Sequence, residues 1–127
     1  SGSGYQSAIL SYLKADVYSI ERIYSLHIIA KKRLEKLNFN AKFYYLDGNE
    51  GLAGQAPFER IIVTAAADVF PVKLEAQLNK QNGILVVPVG KQWEVQQIIR
   101  IRYKDGVRKE EKGIYCRFVP LKNGLMK

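Results

Sequence analysis

The sequence predicts an α/β fold with a mostly parallel sheet and an antiparallel hairpin at one edge. Two observations lead to this prediction. Short apolar segments of strand length alternate with segments of helical period over residues 5–89. The last third of the chain has two strand-like segments on either side of Asp105-Gly106, a dipeptide typical of hairpin turns. The predicted order is therefore helix, strand, helix, strand, strand, helix, strand and an antiparallel pair.

The stretch Phe58–Pro71 is the predicted centre of the sheet. Its apolar run, Ile61–Val63, is bounded by turn signals, which favours a strand buried on both faces. The small residues Thr64–Ala67 follow the carboxyl end of that strand. Because ligands bind at the carboxyl edge of open α/β sheets, we expect this strand to point at a pocket.

The other elements follow from apolar periodicity and turn residues. Pro88 predicts an end or edge position for its strand, because proline cannot donate to the ladder. Asn49–Pro57 is predicted as a loop and Lys122–Lys127 as a tail. We expect a helix from Tyr5, with Ala8, Ile9, Tyr12 and Leu13 on one face, helices at Ile23–Leu37 and Val72–Lys80, and strands at Asp16–Glu21, Ala41–Leu46, Ile84–Val89, Trp93–Tyr103 and Gly113–Leu121.

Length and composition predict one domain over residues 1–127 of the 127-residue chain. No apolar run approaches the roughly 18 residues of a membrane span, and no signal peptide is visible at the start. The single cysteine, Cys116, excludes an internal disulfide and favours a reduced thiol in the cytoplasm. One cysteine and one histidine argue against a zinc site, so we expect His27 at the surface or core edge.

The net charge of +8 is concentrated in two segments, Lys31–Lys36 and Arg100–Lys112. Such a surface could bind nucleic acid or an acidic partner. Acidic residues are mixed into both segments, which favours a solvated helix face and a hairpin tip and argues against nucleic acid.

Three places carry candidate ligand-binding residues. The start, Ser1–Tyr5, is either a flexible linker left from cloning or a turn that cradles a ligand, and the helix directly behind it favours the turn. Glu21 lies 17 residues after Gly4, a spacing that suits either an acid binding ribose hydroxyls or an acid facing a helix N-terminus. Asp47-Gly48 indicates the ligand edge, although alone it would be interpreted as a simple turn.

Together these motifs resemble the protein-L-isoaspartate O-methyltransferases, S-adenosylmethionine-dependent enzymes that repair damaged aspartyl and asparaginyl sites. Ser1–Gln6 is similar to the end of the family's glycine-rich loop, and Asp47-Gly48 to its GDG, with Leu46 in place of the first glycine. The other similar segments are Ala56–Phe58, IIVTAAA at Ile61–Ala67, GILVVPVG at Gly83–Gly90, YSIER at Tyr18–Arg22 and RFVPL at Arg117–Leu121.

The resemblance implies a Rossmann-like class I methyltransferase fold whose N-terminal helices, substrate-binding Ser/Thr segment and first strand lie before residue 1. That strand would run mid-sheet, between the strands of Asp16 and Phe58. If Ser1 is a true terminus, we expect weak or no cofactor binding, and low stability or an oligomer that supplies the strand in trans. Lys91–Glu94 replaces a glycine-richer turn of the family, and Trp93 has no role that the family assigns.

The resemblance also implies a reaction and a set of binding residues. A methyl group would pass from S-adenosyl-L-methionine to the free carboxylate of isoaspartyl residues in damaged proteins, and the ester would cyclise to a succinimide. Because a carboxylate is already ionised near neutral pH, no general base is needed and no catalytic residue is assigned. By similarity, the methionine part of the cofactor would contact Gly2, Ser3 and Gly4, its ribose would contact Glu21, and its adenine would contact Asp47 and Gly48. Thr64, Ala65 and Ala66 would form the floor of the pocket. The peptide would lie near Arg117, Phe118 and Val119.

A second hypothesis from a different class remains open on the sequence. In it the chain is a truncated, catalytically inactive domain that binds a protein or nucleic-acid partner through its basic face.

Overall fold

The computed structural model describes residues 1–127, which form two compact units. The first unit contains Ser1–Gly48 and Asn123–Lys127, and the second contains Asn49–Lys122. The expected single domain stays a prediction. The longest helix has 13 residues, and no helix in the structure is both long and apolar enough to cross a membrane.

The first unit has two helices and two strands. They are α1 (Tyr5–Tyr12), β1 (Val17–Glu21), α2 (Tyr24–Lys36) and β2 (Ala41–Tyr45). The two strands pair in parallel, with Val17 opposite Ala41 and Glu21 opposite Tyr45, so both strands end at the same edge. The four elements predicted from periodicity are confirmed here, with ends that differ by one residue.

Gly4 allows the start of α1 to pack closely against α2. Its φ is 86°, a left-handed conformation that side chains rarely adopt. A Cβ atom at this position would lie 2.7 Å from Leu34 Cδ1 and 3.2 Å from Ala30 Cβ. A glycine is therefore required here both by the backbone conformation and by the contact between the helices.

The buried face of α2 includes its histidine. His27, Ala30 and Leu34 are buried, whereas Ile29 is 48% exposed. The prediction that His27 lies at the surface or core edge is therefore wrong, since only 8% of it is exposed. The His27 ring centroid lies 6.0 Å from the Tyr45 ring centroid. Beside this aromatic neighbour, the imidazole ring of His27 packs as an apolar group. His27 Nδ1 and the Tyr45 hydroxyl are both buried without a hydrogen-bond partner.

The second unit has a four-stranded sheet in the order β3-β4-β5-β6. Strands β3 and β4 are parallel, and β5 is antiparallel to both β4 and β6, which confirms the predicted hairpin beside parallel strands. The core of this unit consists of Ala67, Leu78, Leu85, Val87, Ile99 and Ile101. Its elements are a 3₁₀ turn at Ala53–Gln55, β3 (Arg60–Ile62), α3 (Val72–Glu75), β4 (Ile84–Val89), β5 (Gln96–Lys104) and β6 (Val107–Cys116).

Strand β3 is shorter and more exposed than the sequence predicted. It pairs only with β4 in its sheet, and Ile62 is 52% exposed, so the prediction of burial on both faces is wrong. Strand β4 lies between β3 and β5, with Pro88 as its second-last residue. The prediction of an end or edge position for Pro88 is thus confirmed, by its place near the end of the strand.

The boundaries of three elements differ from the predicted ones. Helix α3 ends at Glu75 and not near Lys80. The residues after it pair with Phe58, whose N–H donates to the Gln77 carbonyl at 2.8 Å. Strand β5 begins at Gln96 because Trp93, with a φ of 69°, is in a turn. Strand β6 begins directly after the predicted Asp105-Gly106 turn and ends at Cys116, before Leu121.

The hairpin is fastened to α3 by a charged network around Glu75. Arg108 donates to both Glu75 oxygens, from Nε at 2.6 Å and from Nη2 at 3.2 Å, and the Tyr103 hydroxyl donates at 2.7 Å. The hydrogen bond from Arg108 lowers the pKa of Glu75 most, and with that from Tyr103 it outweighs the opposite effect of burial. The Glu75 pKa is therefore held below its usual value.

We expect Gly4→Ala to lower the free energy of unfolding by about 2–5 kcal/mol, from left-handed strain and overlap with Leu34. Gly2→Ala is the matched control: its φ is 53°, and no atom lies within 4 Å of a Cβ built there. Strain alone should then lower stability by about 1–2 kcal/mol. Urea unfolding of both variants measures the difference, and equal losses would contradict the packing role of Gly4.

The Glu75 network predicts a pH dependence of stability. Because the folded pKa of Glu75 lies below its ordinary value of 4.5, the carboxylate contributes stability that is complete above about pH 4.5 and is lost as the pH falls through the folded pKa. Glu75→Gln should therefore reduce the loss of stability on acidification below that pH. Denaturant unfolding from pH 6 to pH 3 measures the slope, with the exposed Glu94→Gln as control; an unchanged slope in Glu75→Gln would contradict the prediction.

Candidate functional site

The carboxyl edge of the β1–β2 pair brings the two predicted acidic residues to neighbouring strand ends. Glu21 is the last residue of β1, and Asp47 lies two residues beyond the end of β2. The Leu46 N–H donates to the Glu21 carbonyl at 3.2 Å, which continues the pairing past the strand end. Edges of this kind bind ligands in α/β proteins.

The Glu21 carboxylate is buried against the glycine-containing turn at the start of the chain. Its Oε2 accepts hydrogen bonds from the main-chain nitrogens of Ser1 at 2.8 Å and Gly2 at 3.1 Å. Its Oε1 accepts from the Ile23 N–H at 2.9 Å. Burial by itself raises the Glu21 pKa, whereas hydrogen bonds from the main-chain N–H groups of Ile23 and Gly2 lower it.

The contact with Ile23 bears on the two interpretations of Glu21. Ile23 is the N-cap residue of α2, so Glu21 does face a helix N-terminus as one interpretation required. The contact with Gly2 joins the same acid to the turn that the other interpretation assigned to a ligand. The two roles are compatible in space, and the ribose contact stays a prediction.

Ser1–Gly4 form a turn in which the predicted cofactor residues have different surroundings. Gly2 borders open space, whereas Gly4 packs on α2. The Ser3 carbonyl accepts a hydrogen bond from Arg33 Nη1 at 2.9 Å. The need for glycine at position 4 is thus explained by packing, and contact of these residues with the methionine part of a cofactor stays a prediction.

The segment Asn123–Met126 lies across both strand ends and was predicted only as a tail. The Gly124 N–H donates to Asp47 Oδ2 at 2.6 Å, and Arg22 Nε donates to the Gly124 carbonyl at 2.8 Å. Met126 pairs with the residues after β1: its N–H binds the Arg22 carbonyl and its carbonyl accepts from the Tyr24 N–H, both at 2.8 Å. The one signal in the sequence was Gly124, whose φ is 75°.

The donor and acceptor chemistry at Glu21 fits a ribose. A carboxylate offers about four acceptor sites. Glu21 Oε1 accepts one main-chain hydrogen bond, which comes from the Ile23 N–H. The contact of Ser1 Oγ with Oε2, at 3.4 Å, is long enough to be replaced by a ligand hydroxyl. Oε1 could therefore accept one hydroxyl beside the Ile23 N–H, whereas a second hydroxyl at Oε2 would have to replace Ser1, whose main-chain nitrogen and Oγ both contact that oxygen.

The other predicted residues lie in the second unit, where the small-residue run meets the RFVPL segment. The Ala66 N–H donates to the Val119 carbonyl, and the Leu121 N–H donates to the Ala66 carbonyl, both at 2.8 Å. Thr64 is exposed and Ala65 is half-buried. The structure thus places Ala66, predicted as part of a pocket floor, beside Val119, predicted for the peptide.

Three arginines of the hairpin segment form ion pairs within the protein. Arg100 and Arg102 both contact Glu111, and Arg108 pairs with Glu75 and Glu110. On α2, Lys31, Lys32 and Lys36 are exposed. The mixed pattern of charge favours a solvated surface, as the sequence indicated.

Parallel strands that end in acidic residues beside a glycine-containing turn define a Rossmann-like methyltransferase fold. Residues 1–126 match the family model described as protein-L-isoaspartate(D-aspartate) O-methyltransferase. The chain belongs to this family.

Individual relatives agree with the family model. The chain is 50% identical to the protein-L-isoaspartate O-methyltransferase of Parvibaculum lavamentivorans, over 99% of this chain and 58% of that protein. It is 44% identical to protein-L-isoaspartate O-methyltransferase 1 of Shewanella sediminis, over 97% of this chain and 57% of that protein. A solved structure of a protein-L-isoaspartate O-methyltransferase superposes with a TM-score of 0.86 at 28% identity, covering 98% of this chain and 41% of that chain. The chain thus spans little more than half the length of the curated relatives it matches.

Proposed function

We propose that this chain acts in protein-L-isoaspartate O-methyl transfer, with S-adenosyl-L-methionine as methyl donor. The observation that supports this most is the position of Glu21 and Asp47 at neighbouring strand ends, with Glu21 in contact with Gly2. Family membership over residues 1–126 supports the same reaction. The relatives' names support isoaspartyl-containing proteins as substrates.

The residues of the first unit would bind the nucleoside. When bound, S-adenosylmethionine supplies an electrophilic methyl group on its sulfonium. Glu21 would accept the two ribose hydroxyls, Asp47 with Gly48 would meet the adenine, and the turn Gly2–Gly4 would lie along the methionine part. A carboxylate suits this role because charge-assisted hydrogen bonds are the stronger ones.

The residues of the second unit would bind the peptide and part of the cofactor. Thr64 and Ala65 would contact the cofactor, and together with Ala66 they would form a pocket floor, since these side chains are small. Arg117, Phe118 and Val119 would lie near the isoaspartyl carboxylate, and the exposed Arg117 offers a positive charge to it. A carboxylate is ionised near neutral pH, so the protein's work is to orient it and exclude water, with no proton to remove.

We also propose that the protein acts in the cytoplasm and without nucleic acid. The unpaired Cys116 is compatible with a reducing compartment. The pairing of the hairpin arginines with Glu75, Glu110 and Glu111 supports a solvated surface over a nucleic-acid interface. An oligomer that supplies a strand in trans stays a prediction.

The proposal predicts that the protein binds S-adenosylhomocysteine one-to-one and that Glu21→Ala weakens this binding by about 2–4 kcal/mol, from the loss of two charge-assisted hydrogen bonds. Glu21→Gln should weaken it less, because one amide oxygen can still accept. Isothermal titration calorimetry measures both variants.

Glu35→Ala is the control, since Glu35 is an exposed residue of the neighbouring helix α2. It should leave the affinity within twofold. An affinity in Glu21→Ala equal to that of the unaltered protein would rule out the ribose assignment, and absence of any binding in the unaltered protein would remove the cofactor from the proposal.

A further inference from the structure

Gln96 is a buried glutamine whose amide group binds two separate segments of the second unit. It is the first residue of β5 and is only 2% exposed. Its Oε1 accepts from the Phe118 N–H at 2.7 Å, and its Nε2 donates to the carbonyls of Glu94 at 3.1 Å and Lys91 at 3.5 Å. Both ends of the amide are therefore used, and all of its partners are main-chain atoms.

The backbone around Gln96 is shaped to receive it. Gly90 has a φ of 152°, and a Cβ atom there would lie 2.9 Å from Gln96 Cα and 3.0 Å from Gln96 Cγ. A larger residue at position 90 would push Gln96 away from its partners. The closing Gly90 of the GILVVPVG motif is thus explained by its close approach to Gln96.

Phe118 and Val119 are held from two sides. Gln96 holds the Phe118 N–H, and the Ala66 N–H holds the Val119 carbonyl at 2.8 Å. Cys116 Sγ also lies 3.7 Å from the Gln96 carbonyl, where β6 ends beside β5. The segment after β6 is outside the regular sheet ladder, so these contacts fix its course.

We propose that Gln96 is a positioning residue for the substrate peptide, which holds Arg117–Val119 and the Lys91–Glu94 turn in one fixed arrangement. The inference depends on the proposed function, because it takes Arg117–Val119 as the peptide-binding segment. Gln96 itself does not touch the substrate, since its amide is used by the protein. Without it, the Phe118 N–H and the turn carbonyls would lose their partners, and the segment would be free to shift.

Trp93 provides a direct measurement of peptide binding. It is the only tryptophan of the chain, it is 88% exposed, and it lies in the turn that Gln96 holds. Its fluorescence can therefore be followed while an isoaspartyl peptide, or the same peptide with a normal aspartyl residue, is added in the presence of S-adenosylhomocysteine. We expect Gln96→Met to weaken isoaspartyl peptide binding about tenfold, the effect of one or two lost hydrogen bonds, with S-adenosylhomocysteine affinity within twofold of the unaltered protein.

Gln97→Met is the matched control. Gln97 is the next residue of β5, and its Nε2 donates to the Gly113 carbonyl at 3.1 Å, away from Phe118. It should change peptide affinity by less than twofold. A folded Gln96→Met that binds the isoaspartyl peptide as tightly as the unaltered protein would overturn the inference and leave the proposed function intact.

A second measurement on the unaltered protein covers the case in which Gln96→Met does not fold. The Phe118 amide resonance should exchange slowly with solvent and should shift when the isoaspartyl peptide is added but not with the aspartyl peptide. A Phe118 amide that does not respond would overturn the inference. If S-adenosylhomocysteine binds and the isoaspartyl peptide does not, the substrate in the proposed function is wrong, and the inference fails with it.

Discussion

The parallel pairing of β1 with β2 is the constraint on which the proposed cofactor site depends. It places Glu21 opposite Tyr45, and hence beside the turn that begins with Leu46 and Asp47. A slip of one residue would turn the side chains of one strand to its opposite face and would separate Glu21 from the glycine-containing turn. Packing supports the register: the Ser7 hydroxyl donates to the Ser19 hydroxyl at 3.1 Å between α1 and β1, and Gly4 lets α1 approach α2.

In the second unit, hydrogen bonds to main-chain atoms fix the position of the residues proposed for peptide binding. The residues proposed for peptide binding follow the last regular strand, where no ladder holds them. Two hydrogen bonds fix them instead: the Ala66 N–H donates to the Val119 carbonyl, and Gln96 accepts from the Phe118 N–H. An irregular segment fixed in this way can present a binding surface while the strands beside it form the core.

Periodicity and turn residues predicted most of the architecture, because these signals act over a few residues. The helices and strands of the first unit and the Asp105-Gly106 turn are examples. Contacts between distant residues could not be predicted in this way. The pairing of Phe58 with Leu78 shortened α3, and the burial of His27 depends on the Tyr45 ring rather than on local hydropathy. At the candidate site, the sequence indicated Glu21 and Asp47, whereas the contact of Gly124 with Asp47 spans 77 residues and left no periodic signal.

A crystal structure of the protein with S-adenosylhomocysteine tests the central claim most directly. The account predicts both ribose hydroxyls within hydrogen-bond distance of the Glu21 carboxylate, with the adenine beside Asp47 at the carboxyl edge of β1 and β2. A nucleoside bound elsewhere, with Glu21 still contacting only main-chain nitrogens and Ser1, would contradict it.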